Sequence, residues 1–219
     1  MKRLILCAIV AAGFLTAMSV QAYDQGDWIV RAGMTNIDPD DPNGTVPGLG
    51  LDVEVDDETY VTFNGTWMWK KNWGIELLAA LPFEHDIIVE GLGKVGSVKH
   101  LPPTLSLQYH FLPDKRFQPY VGAGLNLTLF FDDEEAGALE AAGGTLSIED
   151  DSSVGLAAQI GADFMFNENW FINVDFRYID IDTEARVFVP DPIVPGGATV
   201  DIDVDIDPFL YGLNIGYRF

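Results

Sequence analysis

Along most of the chain, apolar and polar residues take turns. In "NWGIELLAALPF", Trp73, Ile75, Leu77, Ala79, Leu81 and Phe83 share one parity, with Glu76 on the other. "VGLAAQIGADFMF" sets Val154, Leu156, Ala158, Ile160, Ala162, Phe164 and Phe166 against Gln159 and Asp163. "WFINVDFRY" sets Trp170, Ile172, Val174, Phe176 and Tyr178 against Asn173, Asp175 and Arg177. The last segment, "FLYGLNIGYRF", aligns Phe209, Tyr211, Leu213, Ile215, Tyr217 and Phe219. A period of two marks strands with one oily and one wet face. Runs of about ten residues or more suit a tilted bilayer crossing.

In a soluble sandwich the oily face would be the core, but aromatic residues would have no reason to gather at strand ends. Here Trp67, Trp69, Trp73, Phe117, Tyr120, Phe166, Trp170 and Tyr217 cluster beside the short connections 70–72 and 167–169. An aromatic girdle beside short turns, with long acidic loops opposite, describes an outer-membrane barrel. No open edge is tolerated in hydrocarbon, so the sheet must close. The pattern predicts an all-β fold, an antiparallel transmembrane barrel of eight strands. They lie near 27–37, 58–70, 72–86, 97–111, 117–131, 153–166, 170–183 and 205–219, with long loops at 38–57, 87–96, 132–152 and 184–204. A barrel of this size holds side chains or one slim ligand, not a wide aqueous pore.

Composition narrows the picture further. The start, with Lys2, Arg3, an apolar run and small residues up to Ala22, reads as a secretory signal peptide over 1–22, leaving a barrel domain at 23–219. The single cysteine, Cys7, lies inside it, so no disulfide is expected in the exported part. Against 34 acidic residues, the 12 basic ones fall to 10 once Lys2 and Arg3 are removed, a charge of −24. That sign excludes nucleic acid as a partner.

The stretches "GIELLAALPFEH", "VKHLPPTLSLQYHF", "FQPYVGAGLNLTLFF", "YIDIDT" and the terminal "GYRF" together resemble the OmpW family of bacterial outer-membrane proteins. The resemblance runs along the chain after residue 22. It implies a narrow hydrophobic channel entered from outside, and uptake of small, mostly hydrophobic molecules released sideways into the membrane. The outer membrane, with its lipid and lipopolysaccharide, is then the surroundings. Phe219, with Tyr217 two residues earlier, looks like the signal read by the barrel-assembly machinery.

Four groups of residues carry candidate function. Pro102 and Pro103 cannot donate to a neighbouring strand. They mark either a lateral gate in the wall or a kink at the membrane surface. Past Tyr178 the outward parity turns acidic while Ile179 and Ile181 face inward; likewise Asp201, Asp203, Asp205 and Asp207 alternate with Ile202, Val204 and Ile206. With Phe130, these inward residues predict an apolar chamber at the extracellular mouth, or a small core closed by the loops. Lower down, Leu78 matches a constricting position of the family. Arg177 departs from the family's pattern, standing where a relative has an inward tryptophan. It shares the lumen with Asp175, Glu76 and Asp163, so a salt-bridged plug is expected, since buried charge must be paired. Such a plug argues against a through-channel for apolar molecules and could suit small zwitterions.

Other chemistry finds little support. His100 and His110 lie about 33 Å apart by strand rise, and Ser97 and Ser106 sit in no nucleophile motif; neither an enzyme nor a cofactor is expected. The acidic runs lack the glycine and glutamate of an EF-hand loop. Asp201, Asp203, Asp205 and Asp207 could still share divalent cations diffusely at the lipopolysaccharide level. Two readings remain open: a passive channel for small hydrophobic solutes, or a structural barrel whose acidic loops meet cations, lipopolysaccharide, phage or other cells.

Overall fold

The computed structural model describes residues 23–48, 50–191 and 196–219. The predicted signal peptide lies outside the described residues. The elements are β1 (Trp28–Asp38), β2 (Gly44–Val46), β3 (Leu51–Val55), β4 (Glu58–Lys70), β5 (Trp73–Ala80), β6 (Phe83–Val89), β7 (Gly93–Leu101) and β8 (Thr104–His110). They continue as β9 (Phe117–Glu135), the short helix α1 (Gly137–Ala142), β10 (Thr145–Ile148), β11 (Ser152–Met165), β12 (Trp170–Ile179), β13 (Asp182–Val189), β14 (Ala198–Asp205) and β15 (Phe209–Arg218). Eight of these strands close the barrel in the order β11-β12-β15-β1-β4-β5-β8-β9, with β9 pairing back to β11. Every pairing is antiparallel.

The period-two pattern explains the two surfaces. Outward parity exposes Val30, Met34, Leu77, Leu105, Leu125, Leu156, Ile172 and Leu213, a band suited to lipid. Below it Trp28, Trp67, Trp73, Phe117 and Trp170 ring the periplasmic rim. Phe219 joins them: its N–H donates to the Trp28 carbonyl at 2.8 Å, and its ring lies 4.7 Å from that of Tyr217.

The predicted third and fourth strands are each broken in two. β5 stops at Ala80 and β6 begins at Phe83; β7 stops at Leu101 and β8 begins at Thr104. Both breaks contain proline, which cannot continue a ladder. The long loops are not irregular either. β2 and β3 extend the sheet beside β6, and β10, β13 and β14 form a small sheet of their own. Alternation in "ATVDIDVD" already carries that periodicity, but which strands pair is fixed only in three dimensions. β12 leaves the barrel at its top, where the Asp180 N–H donates to the Leu156 carbonyl at 2.9 Å. Gly155 is required beneath that crossing, because a Cβ there would collide with the Asp180 carbonyl oxygen.

Candidate functional site

The interior has three storeys. The uppermost is an apolar chamber roofed by the loop strands. Val53 and Val55 of β3, His85, Ile87 and Val89 of β6, Val95, Val98 and His100 of β7, and Phe130 of β9 form one side; Ala185, Ile202, Val204 and Ile206 close it. Ile179 and Ile181 are buried in the same cluster. Each such aliphatic side chain withdrawn from water contributes roughly 1.5–3 kcal/mol, so the roof is a packed layer in its own right. The void left inside is about 30 Å³, enough for a water molecule but not for an organic solute.

The middle storey is polar and filled. Arg31 Nη2 and Nε grip Asp163 at 2.7 and 3.1 Å, and Arg31 Nη1 lies 3.5 Å from Glu76 Oε2. Arg177 meets the same Glu76 at 2.6 Å and donates from Nε to Asp175 at 2.8 Å. Asp163, Arg31, Glu76, Arg177 and Asp175 therefore form one chain of five alternating charges across the lumen. Gln108, Gln159, Asn173 and Asn214 donate to its carboxylates. This satisfies lone pairs that the ion pairs leave open, as burial demands. Arg31, Glu76 and Asp163 are wholly buried. Leu78 lies at the top of this layer, beside a void of about 10 Å³ that it shares with Thr35, Thr62, Asn64, Asp175, Arg177 and Leu210. That space holds less than one water. Beneath, Tyr23, Ile29, Met68, Met165 and Phe171 seal the periplasmic end, and the Tyr23 hydroxyl donates to Asp163 at 2.9 Å.

Arg31 was the residue that sequence reasoning missed. Its signal was present: Val30 and Ala32 face out, so Arg31 faces in, and Glu76, Asp163 and Asp175 outnumber Arg177 alone.

The wall beside the chamber has an unpaired stretch on one side. The β5–β8 ladder ends at Leu78↔Thr104, and the β6–β7 ladder begins at Phe83↔His100, so residues 79–82 face 101–103 unpaired. Pro82, Pro102 and Pro103 all fall in this gap. On its other edge the strand keeps its register with β9, from His100↔Phe130 to Thr104↔Asn126, and the Leu127 N–H donates to the Pro103 carbonyl at 3.0 Å. The unzipping is thus confined to the β5–β6 side. Pro102 is buried, Pro103 half-buried, and Leu81 beside them is 60% exposed. Just above, the outward face carries Glu84, Lys99 and Asp132, with Lys99 between the two carboxylates at 4.0 and 3.7 Å. The gap therefore sits at the upper edge of the hydrocarbon.

Above that edge His85 and His100 stack, ring centroids 5.1 Å apart and 16° from parallel. They are diagonal neighbours on the inward face of the β6–β7 hairpin, a pairing that depends on a register the sequence does not print. Burial pushes both imidazoles down, His100 to about 3, with the neighbouring His85 adding to the effect there. A histidine held neutral in the fold but protonated when unfolded contributes stability that is full above about pH 6.5 and declines as the pH falls from there. For His100 the decline continues toward about pH 3. The expected NMR titration of ¹³C-labelled histidine is flat for His100 between pH 8 and 5; a midpoint near the ordinary histidine value contradicts its burial.

At the rim the predicted acidic run divides. Asp201 pairs with Arg186 at 2.7 Å, and Asp203 and Asp205 point to solvent. Only Asp207 joins a cluster, with Asp180 and Asp182. Burial and its acidic neighbours push the Asp182 carboxyl upward.

A closed antiparallel barrel with an apolar belt, an aromatic periplasmic rim and termini on one side defines an outer-membrane β-barrel protein. The chain belongs to the OmpW family, which it matches over residues 24–219. It is 37% identical to outer membrane protein W of Vibrio cholerae over 220 residues, 98% of each chain. The crystal structure of OprG from Pseudomonas aeruginosa matches with a TM-score of 0.83 at 38% identity, covering 91% of this chain and 99% of that one. The dibenzothiophene metabolism operon protein PahQ of Pseudomonas aeruginosa is 27% identical over 207 residues, 90% of each chain. The protein is accordingly an outer-membrane barrel.

Proposed function

We propose that the protein admits small hydrophobic solutes passively: the loop strands part to let a solute into the extracellular chamber, whose resting void is only about 30 Å³, and it leaves through the wall at the Pro102–Pro103 gap into the bilayer. One observation carries this reading: the apolar chamber ends beside an unpaired stretch of wall, while the lumen below is filled by the charge chain from Asp163 to Asp175. Freed backbone groups cost several kcal/mol each in hydrocarbon unless they line a cavity, and a gap used by solute is such a place. The filled middle storey makes passage onward to the periplasm unfavourable for an apolar molecule. Leu78 marks the chamber floor in this scheme. The name of the relative PahQ, which links it to metabolism of an apolar aromatic, is in keeping with it.

The test is uptake of a series of apolar and zwitterionic solutes into liposomes bearing wild type or the Pro102→Ala/Pro103→Ala variant. Apolar uptake above empty liposomes, reduced severalfold in a variant that still folds, supports lateral release. Equal uptake by both rejects the gate. Uptake of zwitterions alone moves selectivity to Arg177 and its carboxylates.

A second reading, a structural barrel, draws on the small chamber void and the Asp180, Asp182 and Asp207 cluster. In it the acidic rim meets divalent cations and lipopolysaccharide, and no solute is taken up above the empty membrane. Under either reading Tyr217 and Phe219 present the end of β15 to the assembly machinery.

A further inference from the structure

We infer that His85 and His100 form a recognition point for a hydroxyl group carried on an otherwise apolar solute. The inference rests on the reading of the chamber as a solute path, and it names the class of solute.

His85 is 1% exposed and His100 3%. His85 Nε2 and His100 Nδ1 are both buried with no hydrogen-bond partner among the described residues. Both rings line the chamber, whose other walls are almost wholly apolar. Phe83 stands edge-on to His100 at 5.4 Å, Phe130 is tilted at 5.9 Å, and Tyr60 is edge-on to His85 at 6.0 Å. A buried polar atom left without a partner is costly, and two of them in one apolar cavity point to something that completes them.

The tautomer of His85 gives the first half of the specificity. Its Nδ1 lies 2.8 Å from the Asp56 carbonyl oxygen, which can only accept, so the proton sits on Nδ1. Nε2 is then a bare acceptor and requires a donor. His100 Nδ1 can donate in one tautomer. A hydroxyl offers both a proton and lone pairs, so it can donate to His85 Nε2 or accept from His100 Nδ1. A hydrocarbon satisfies neither. A carboxylate would lose its hydration in a cavity whose lining contains no lysine or arginine. Near-parallel rings aim their nitrogens side by side rather than at one point, unlike the convergent ligands of a metal ion. Among solutes, alcohols and phenols are the chemical class that fits; they would take the place of a water, which the resting void can hold and which offers the same donor and acceptor.

The position fits selection at the exit. Phe83↔His100 is the first pair above the wall gap, so a solute moving from chamber to gap passes this pair.

The test uses the full chain in nanodiscs, with ¹⁵N-labelled histidine and two probes of equal carbon-chain length, 1-octanol and n-octane. Octanol is expected to shift the His85 Nε2 resonance and octane to leave it in place. In proteoliposomes with a lipopolysaccharide outer leaflet, wild type should favour octanol over octane by about tenfold, the worth of satisfying a buried polar group. His85→Phe/His100→Phe keeps the stacked rings and should level that ratio; His85→Gln, which retains an acceptor, should keep most of it. The nitrogen shift needs no variant, so misfolding of either one leaves the question answerable. Transport of both probes without preference, and with no nitrogen shift, overturns the inference while the transport reading stands. A nitrogen shift without any uptake supports hydroxyl recognition and removes the transport reading. Neither shift nor uptake removes both.

Discussion

Replacing Arg31 with methionine should destabilise the barrel by about 3–5 kcal/mol, the range for breaking a buried ion pair by removing one partner. The loss falls mainly on Asp163. It keeps the Tyr23 hydroxyl and the Asn173 amide at 2.9 and 2.8 Å but loses both guanidinium contacts. Glu76 suffers less, because Arg177, Gln108 and Gln159 still reach it. The charge chain predicts its own control. Arg31→Met/Asp163→Leu removes both ends of the pair, leaves no orphan charge, and should recover most of the loss. Urea unfolding of the barrel in lipid vesicles, followed by tryptophan fluorescence, measures both. A single-variant loss below about 1 kcal/mol would show that the carboxylate is not held as described.

The second large effect belongs to the chamber. Ile202→Asp places a carboxylate at a position 4% exposed, opposite Ala185 in the β13–β14 ladder, with no cation in the chamber lining. Burying an unpaired charge costs several kcal/mol, more than a roof of three short strands can absorb. The roof should therefore open locally while the barrel, held by its own closed ladder, stays folded. The expected result is normal heat-modifiable migration on gels, rapid hydrogen exchange in β13 and β14, and apolar uptake changed by about tenfold or more. Uptake falls if the chamber must bind the solute, and rises if the roof is what limits access. An unchanged rate places the solute path elsewhere. Loss of the folded band would show that roof and barrel melt as one unit.

Much of this architecture can be read from alternation alone, because a strand in a barrel has only two faces and the membrane demands that one be apolar. The inward positions of Glu76, Asp163, Asp175 and Arg177 follow from parity. So do those of Phe130, Ile179, Ile181, Ile202, Val204 and Ile206, all buried. Register and partner choice do not follow from parity. His85 and His100 stand fifteen positions apart in the sequence, and they meet only because Phe83 pairs with His100 and leaves His85 one step up the same face. The same limit hid the division of the acidic run. Asp207 belongs with Asp180 and Asp182 because β12 and β15 end side by side, whereas Asp201 lies further along β14 beside Arg186. Proline was legible as a ladder-breaker, but not the side on which the ladder breaks.

That side matters beyond the molecule. β9 runs unbroken from Phe117 to Glu135 and keeps its register past the prolines, while the opposite edge is unpaired there. The barrel consequently has a front and a back in the plane of the membrane. Anything leaving through the wall departs into one sector of lipid, past Leu81. A neighbouring protein packed against that sector obstructs the exit, whereas one packed against β12 and β15 leaves it clear. On the proposed lateral path, crowding in the outer membrane would control release according to which way each barrel is turned.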